Sequence, residues 1–93
     1  MRKRGKVDGN QGDIVKALRD IGCSVAITSS LGGGFPDLVV GRDQRNYLME
    51  VKDGSLSASR KKLTKEERKF LNGWRGHIVI VENVEEALTV IFP

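Results

Sequence analysis

The sequence predicts a single-domain α/β fold with its elements in the order αβββαβα. Three observations point to it. Apolar residues recur at helical spacing near the start, two short apolar runs flank a polar turn at the centre, and the almost wholly apolar "HIVIV" lies between two capped helical segments. The 93 residues suffice for one core but not for two. Hydrophobic residues at 39% and charged ones at 30% give a globular balance, so the chain should fold.

Residues 1–7 are polar and basic and are expected to form a flexible or phosphate-contacting arm, with the folded domain spanning 8–93. From Asp8 the pattern becomes helical, with Ile14, Val15, Leu18 and Ile21 on one face and Lys16, Arg19 and Asp20 on the other. Asp8 and Gln11 have the spacing of a capping box, and Gly22 stops the helix. "CSVAIT" reads as the first strand. The loop "SSLGGGFP" follows, where Gly32, Gly33 and Gly34 permit positive φ and a close backbone approach.

"DLVVG" and "YLMEVK", joined by "RDQRN", read as a β-hairpin. The loop after it is small and polar, then basic. Thr64 and Glu67 form a capping box for a helix with Phe70, Leu71 and Trp74 on its apolar face, ended by Gly76. "HIVIV" should be a strand buried on both faces. Asn83 and Glu86 cap the last helix. Cys23 and Trp74 are expected in the core, and His77, at a strand start, as a structural or edge residue.

Composition removes several function classes. No apolar run nears the roughly 20 residues of a membrane span, and the N-terminus lacks a signal peptide's apolar region, so a cytoplasmic protein is expected. One cysteine and one histidine exclude an internal disulfide and a His-rich site and argue against a thiolate-based zinc site. Any metal would rest on oxygen ligands, which favours magnesium, manganese or calcium. The net charge of +4 concentrates in Arg2, Lys3, Arg4 and Lys6, and again in Arg60, Lys61, Lys62 and Lys65, a distribution suited to a polyanion. Aromatic residues at 5% make a base-stacking platform a weak candidate. The glycine loop lacks the Lys-Ser/Thr ending of a P-loop, so triphosphate binding is not expected.

The hairpin carries the chemistry. Strand alternation puts Leu48, Glu50 and Lys52 on one side. A turn centred between Asp43 and Gln44 sets Asp37 opposite Glu50, so both carboxylates and the lysine converge. Two adjacent carboxylates repel, and a divalent cation between them removes the penalty. Magnesium takes only one or two protein carboxylates alongside its waters. In that role Asp37 and Glu50 are metal ligands, while Lys52 orients or deprotonates the attacking water or neutralises charge on the phosphate. The structural alternative makes Glu50 and Lys52 a solvated pair on an exposed face and Asp37 a turn residue after Pro36.

"GFPDLVV" followed by "YLMEVKDGS" resembles the PD-(D/E)xK nuclease signature, with Pro36-Asp37 as its first part and Glu50-Val51-Lys52 as its second. More narrowly, the short spacing, the Gly-x-Pro-Asp form and Gln11 on the first helix are similar to the virus-type replication-repair nuclease (VRR-NUC) domain, a relative of Holliday-junction resolvases. The likeness runs from about Asp8 to Ile91. It implies a restriction-endonuclease-like domain with a mixed central sheet flanked by helices. It implies a DNA-repair endonuclease in which Asp37, Glu50 and the Val51 carbonyl bind Mg2+ or Mn2+, Lys52 is catalytic, and Gln11 reaches the site directly or through metal-bound water. Glu67 stands where related nucleases often carry a Gln, although it also serves the helix cap. Gly33 and Gly34 would admit the DNA backbone, with Arg60, Lys61 and Lys62 on phosphates beside the cleft.

The leading expectation is thus a metal-dependent, structure-specific endodeoxyribonuclease acting on branched DNA such as a four-way junction, as a homodimer. The alternatives are a nicking or restriction-like nuclease on duplex DNA and a non-catalytic DNA-binding module.

Overall fold

A computed structural model describes residues 9–59 and 62–93; the expected basic arm, Asp8, Arg60 and Lys61 lie outside the described residues. The elements are α1 (Gln11–Asp20), β1 (Ser24–Ile27), β2 (Leu38–Arg42), β3 (Arg45–Val51), α2 (Lys65–Gly73), β4 (Ile78–Val81) and α3 (Val84–Ile91). The predicted order αβββαβα is the order found. The four strands make one mixed sheet, β1-β2-β3-β4, in which β1/β2 and β2/β3 are antiparallel and β3/β4 is parallel.

The core forms on one face of this sheet. Strand alternation and register put Val25, Leu38, Val40, Tyr47, Met49, Val51, Val79 and Val81 on that face. Ile14, Val15 and Leu18 of α1 and Ala87 and Ile91 of α3 close over it, with Cys23 buried among them as expected. Removing this apolar surface from water is the main source of stability. The opposite face carries Ala26, Val39, Leu48, Glu50, Ile78 and Ile80, and the functional candidates belong to it.

α1 begins later than the sequence suggests. Asn10 holds the N-cap position but its Oδ1 makes no cap bond; its Nδ2 donates to the carbonyls of Lys52 (3.2 Å) and Glu82 (2.9 Å), which sets the side chain's orientation. Gln11 is therefore the first helical residue, and Asp8, its expected capping partner, lies outside the described residues. The helix ends as expected at Gly22, with φ +95°. Gly22 N–H donates to the Arg19 carbonyl and Cys23 N–H to that of Leu18, the paired bonds of a Schellman motif. Ile21, expected on the apolar face, is exposed.

The hairpin is tighter than read. The polar connection shrinks to the two residues Asp43 and Gln44, at φ +51° and +65°, the mirror-image turn that matches strand twist. The register runs from Arg42↔Arg45 to Leu38↔Met49, as a turn centred between Asp43 and Gln44 requires.

Two expectations fail for one reason. β4 is an edge strand with only Val81 buried and Ile80 39% exposed, and Trp74 is 43% exposed, not a core residue. Both errors come from treating apolar character as evidence of a second covering layer. None of the residues of α2 is buried, and the helix stops at Gly73, before Gly76. Among the described residues no helix is long and apolar enough to cross a membrane.

Candidate active site

The hairpin register, extended one residue past Leu38↔Met49, sets Asp37 against Glu50. Hydrogen bonds hold both Asp37 and the residue before it. Asp37 Oδ2 accepts the Val51 N–H at 2.8 Å, its carbonyl accepts the Thr28 N–H at 2.7 Å, and the Thr28 hydroxyl donates to the neighbouring Pro36 carbonyl at 2.7 Å. Pro36 is fully buried. The loop entering β2 is thus pinned to the end of β1, and the Asp37 carboxylate is drawn onto β3.

Glu50 is only 4% exposed, although it lies on the sheet face away from the main core. Lys52 Nζ stands 3.6 Å from Glu50 Oε2 and donates to Glu67 Oε1 at 2.8 Å. The solvated-pair alternative therefore fails: these groups are largely withdrawn from water. Glu67 joins them from α2. Its Oε1 also accepts the Thr64 N–H at 2.9 Å, while Thr64 Oγ1 accepts the Glu67 N–H at 3.1 Å, so the predicted capping box is present. One oxygen of Glu67 thus serves both the helix cap and the contact with Lys52.

Electrostatics follow from this crowding. Burial pushes the Glu50 carboxyl up to about 9, aided by the Asp37 charge and by the hydrogen bond and charge of Glu67, with Lys52 opposing. Burial also pushes Glu67 up. Hydrogen bonds from Lys52, Thr64 and Glu50, with the Lys52 charge, outweigh it and hold Glu67 below its ordinary value. Burial and neighbouring charge thus favour the protonated form of Glu50, and the bonds to Glu67 favour its ionised form.

The remaining candidates fall into distinct places. Gln11 is buried, but its amide pairs with Ser29, donating to Oγ at 2.9 Å and accepting from it at 3.2 Å. It braces the strand-to-loop junction beside Thr28, not a carboxylate of the cluster. Val51 ends β3 with its N–H on Asp37. Lys62 is exposed, and Arg60 and Lys61 lie outside the described residues.

Gly32, Gly33 and Gly34 have φ of +76°, +66° and +81°. Around Gly32 and Gly33 there is open space, but a Cβ on Gly34 would run into the Glu66 carbonyl. The close approach read from this loop is made by α2 itself at Gly34. His77 stands exposed beside β4 with its ring edge-on to Tyr47, a structural position as expected.

Asn10 and Ser29 were missed. Asn10 ties the ends of β3 and β4 just after the cluster, and its only sequence signal was its suitability as a helix cap. Ser29 carried no signal beyond its place in a polar loop.

Searches of family models, of curated proteins and of solved structures find no match to this chain. Function therefore rests on the geometry.

Proposed function

We propose that the chain is a metal-dependent endodeoxyribonuclease that hydrolyses phosphodiester bonds, with branched DNA as its substrate. The observation that carries this reading is Glu50, a carboxyl almost wholly withdrawn from water beside a second carboxylate and a lysine. Burying such groups costs several kcal/mol unless they are compensated. A fold needing only stability would place an apolar side chain there, as the neighbouring Leu48 does.

The donor set fits a hard divalent ion. Asp37 and Glu50 offer carboxylate oxygens on one face, and their mutual repulsion is relieved by a cation. Among the described residues no three His, Cys, Asp or Glu side chains are grouped to hold a metal by themselves, so waters would supply much of the shell, as is usual for magnesium. When bound, Mg2+ or Mn2+ would supply Lewis acidity toward phosphate and an acidified water.

The chain's own residues do the rest. Lys52 would place a positive charge where the phosphate becomes more negative, and Glu67 would hold that ammonium in position. The Val51 N–H and the Thr28 bonds fix Asp37. Asn10 fixes the main chain at Lys52, and Gln11 with Ser29 braces the loop. Such pre-organisation spares the reaction a reorganisation cost.

The test is incubation with a labelled four-way junction, a flap and a linear duplex, with Mg2+, Mn2+ or EDTA. Metal-dependent cutting favouring branched substrates is the expected result. Equal cutting of linear duplex would make it a nicking or restriction-like enzyme, and no cutting of any substrate would sink the hydrolase. Two sites on one junction call for a symmetric dimer, which sedimentation on the junction would reveal.

A further inference from the structure

Aromatic residues are few, yet three of the five gather in one place. Phe35, two residues before Asp37, meets Phe70 edge-on at 5.3 Å, and Phe70 stacks on Trp74 at 5.1 Å with 16° between the rings. The ladder leads from the glycine loop to the surface, where Trp74 is 43% exposed. Glu67, Phe70 and Trp74 follow i, i+3, i+7 spacing and share one face of the helical path, so the Cα of Trp74 lies about 10 Å along the axis from that of Glu67, whose carboxylate holds Lys52.

Beside this ladder is a cleft of about 440 Å³ lined by Gly33, Glu66, Lys69, Phe70, Gly73 and Trp74. That is in the size range of small-molecule sites, with room for a nucleobase and its sugar. Two of its walls are glycines with nothing within 4 Å of where a Cβ would point. Gly33 is explained by its positive φ. Gly73 is not: it is the last residue of α2, and neither a positive φ nor a neighbour within 4 Å requires glycine there. Its effect is to keep the cleft open.

We infer that this cleft receives an unpaired nucleobase of a nucleic-acid strand, stacked on Trp74, with Lys69 toward the adjoining phosphate. Charge favours this occupant over an apolar partner. Lys65, Arg68, Lys69 and Arg75 outnumber Glu66 and Glu67 on the helix and its exit, and a base brings its own phosphate to neutralise. The inference deepens the proposed hydrolase, because an unpaired base beside the carboxylate cluster is what a branch point presents and a continuous duplex does not.

Trp74 is the only tryptophan, so its fluorescence reports on the cleft directly. The experiment titrates full-length protein in EDTA with a DNA hairpin bearing a short single-stranded purine arm, or the same hairpin with an abasic arm. Quenching should be strong with bases and weak without. By anisotropy of the labelled hairpin, Trp74→Ala should weaken binding to the purine arm about tenfold and leave the abasic arm unchanged, while Trp74→Phe retains most of the affinity.

Gly73→Leu separates site from scaffold. As a better helix former it should raise thermal stability yet weaken purine-arm binding, whereas unchanged binding would overturn the inference. Equal quenching by the two arms would also overturn it, as would a DNA-independent fluorescence change that tracks protein dimerisation. Base-dependent quenching in a protein that never cleaves DNA would uphold the cleft and remove only the hydrolase.

Discussion

Lys52 Nζ donates to Glu67 Oε1 at 2.8 Å, and that same oxygen accepts the Thr64 N–H that caps α2. A strand lysine and a helix cap are therefore one unit, and α2 is held at its first turn by the group that positions the lysine. Glu67→Ala should destabilise the fold by about 1–2 kcal/mol, through loss of the cap and of the lysine's partner. Glu67→Gln, which can still accept both bonds, should lose less. A double-mutant cycle between Lys52 and Glu67 should give a coupling of about 1 kcal/mol, and additive effects would show that the contact contributes nothing.

Stability should depend on pH through Glu50. Its carboxyl titrates near 9 in the fold against an ordinary 4.5, so the folded state binds the extra proton between those values. Stability from this group is full below about 4.5 and is lost as pH rises toward 9. Glu50→Gln, neutral throughout, should raise the melting temperature by several degrees at pH 8 in EDTA and by much less at pH 4.5. An equal shift at both pH values would mean that Glu50 is ionised in the fold.

Most of this architecture was legible in the sequence because local rules and tertiary packing agreed. The Asp43–Gln44 turn fixed a register whose alternation carried Asp37, Glu50 and Lys52 to one face, and Thr64 with Glu67 marked the start of α2. Legibility fell where a side chain took a distant partner. Asn10 and Gln11 look like parts of a helix start, but their amides serve Lys52, Glu82 and Ser29, residues 18 to 72 positions away. Trp74 and β4 failed because an apolar residue does not announce whether anything covers it.

Gly34 offers a separate test of how α2 is seated. Its φ of +81° and the Glu66 carbonyl against its open side leave no room for a methyl group. Gly34→Ala should cost about 1–3 kcal/mol and displace the first turn of α2, seen as new amide shifts from Thr64 to Phe70. Gly32→Ala, with open space around it, should cost only the backbone strain. Matching losses at the two positions would show that α2 does not rest on Gly34.

Asp37 should separate charge from scaffold. Asp37→Asn can still accept the Val51 N–H and should fold, but it removes the charge that helps hold the Glu50 proton. The Glu50 carboxyl, followed by carbon NMR, should then titrate below its wild-type value. An unmoved titration would mean that the two carboxyls do not interact.

The central claim is that Asp37, Glu50 and Lys52 act as one hydrolytic unit, and cleavage of a labelled four-way junction in Mg2+ tests it most directly. Glu50→Ala and Lys52→Ala, each first shown to be folded and to bind the junction in EDTA, should cut at least 100-fold more slowly than wild type, as expected for loss of a metal ligand or a transition-state charge. Folded variants that still cut at the wild-type rate would contradict the assignment.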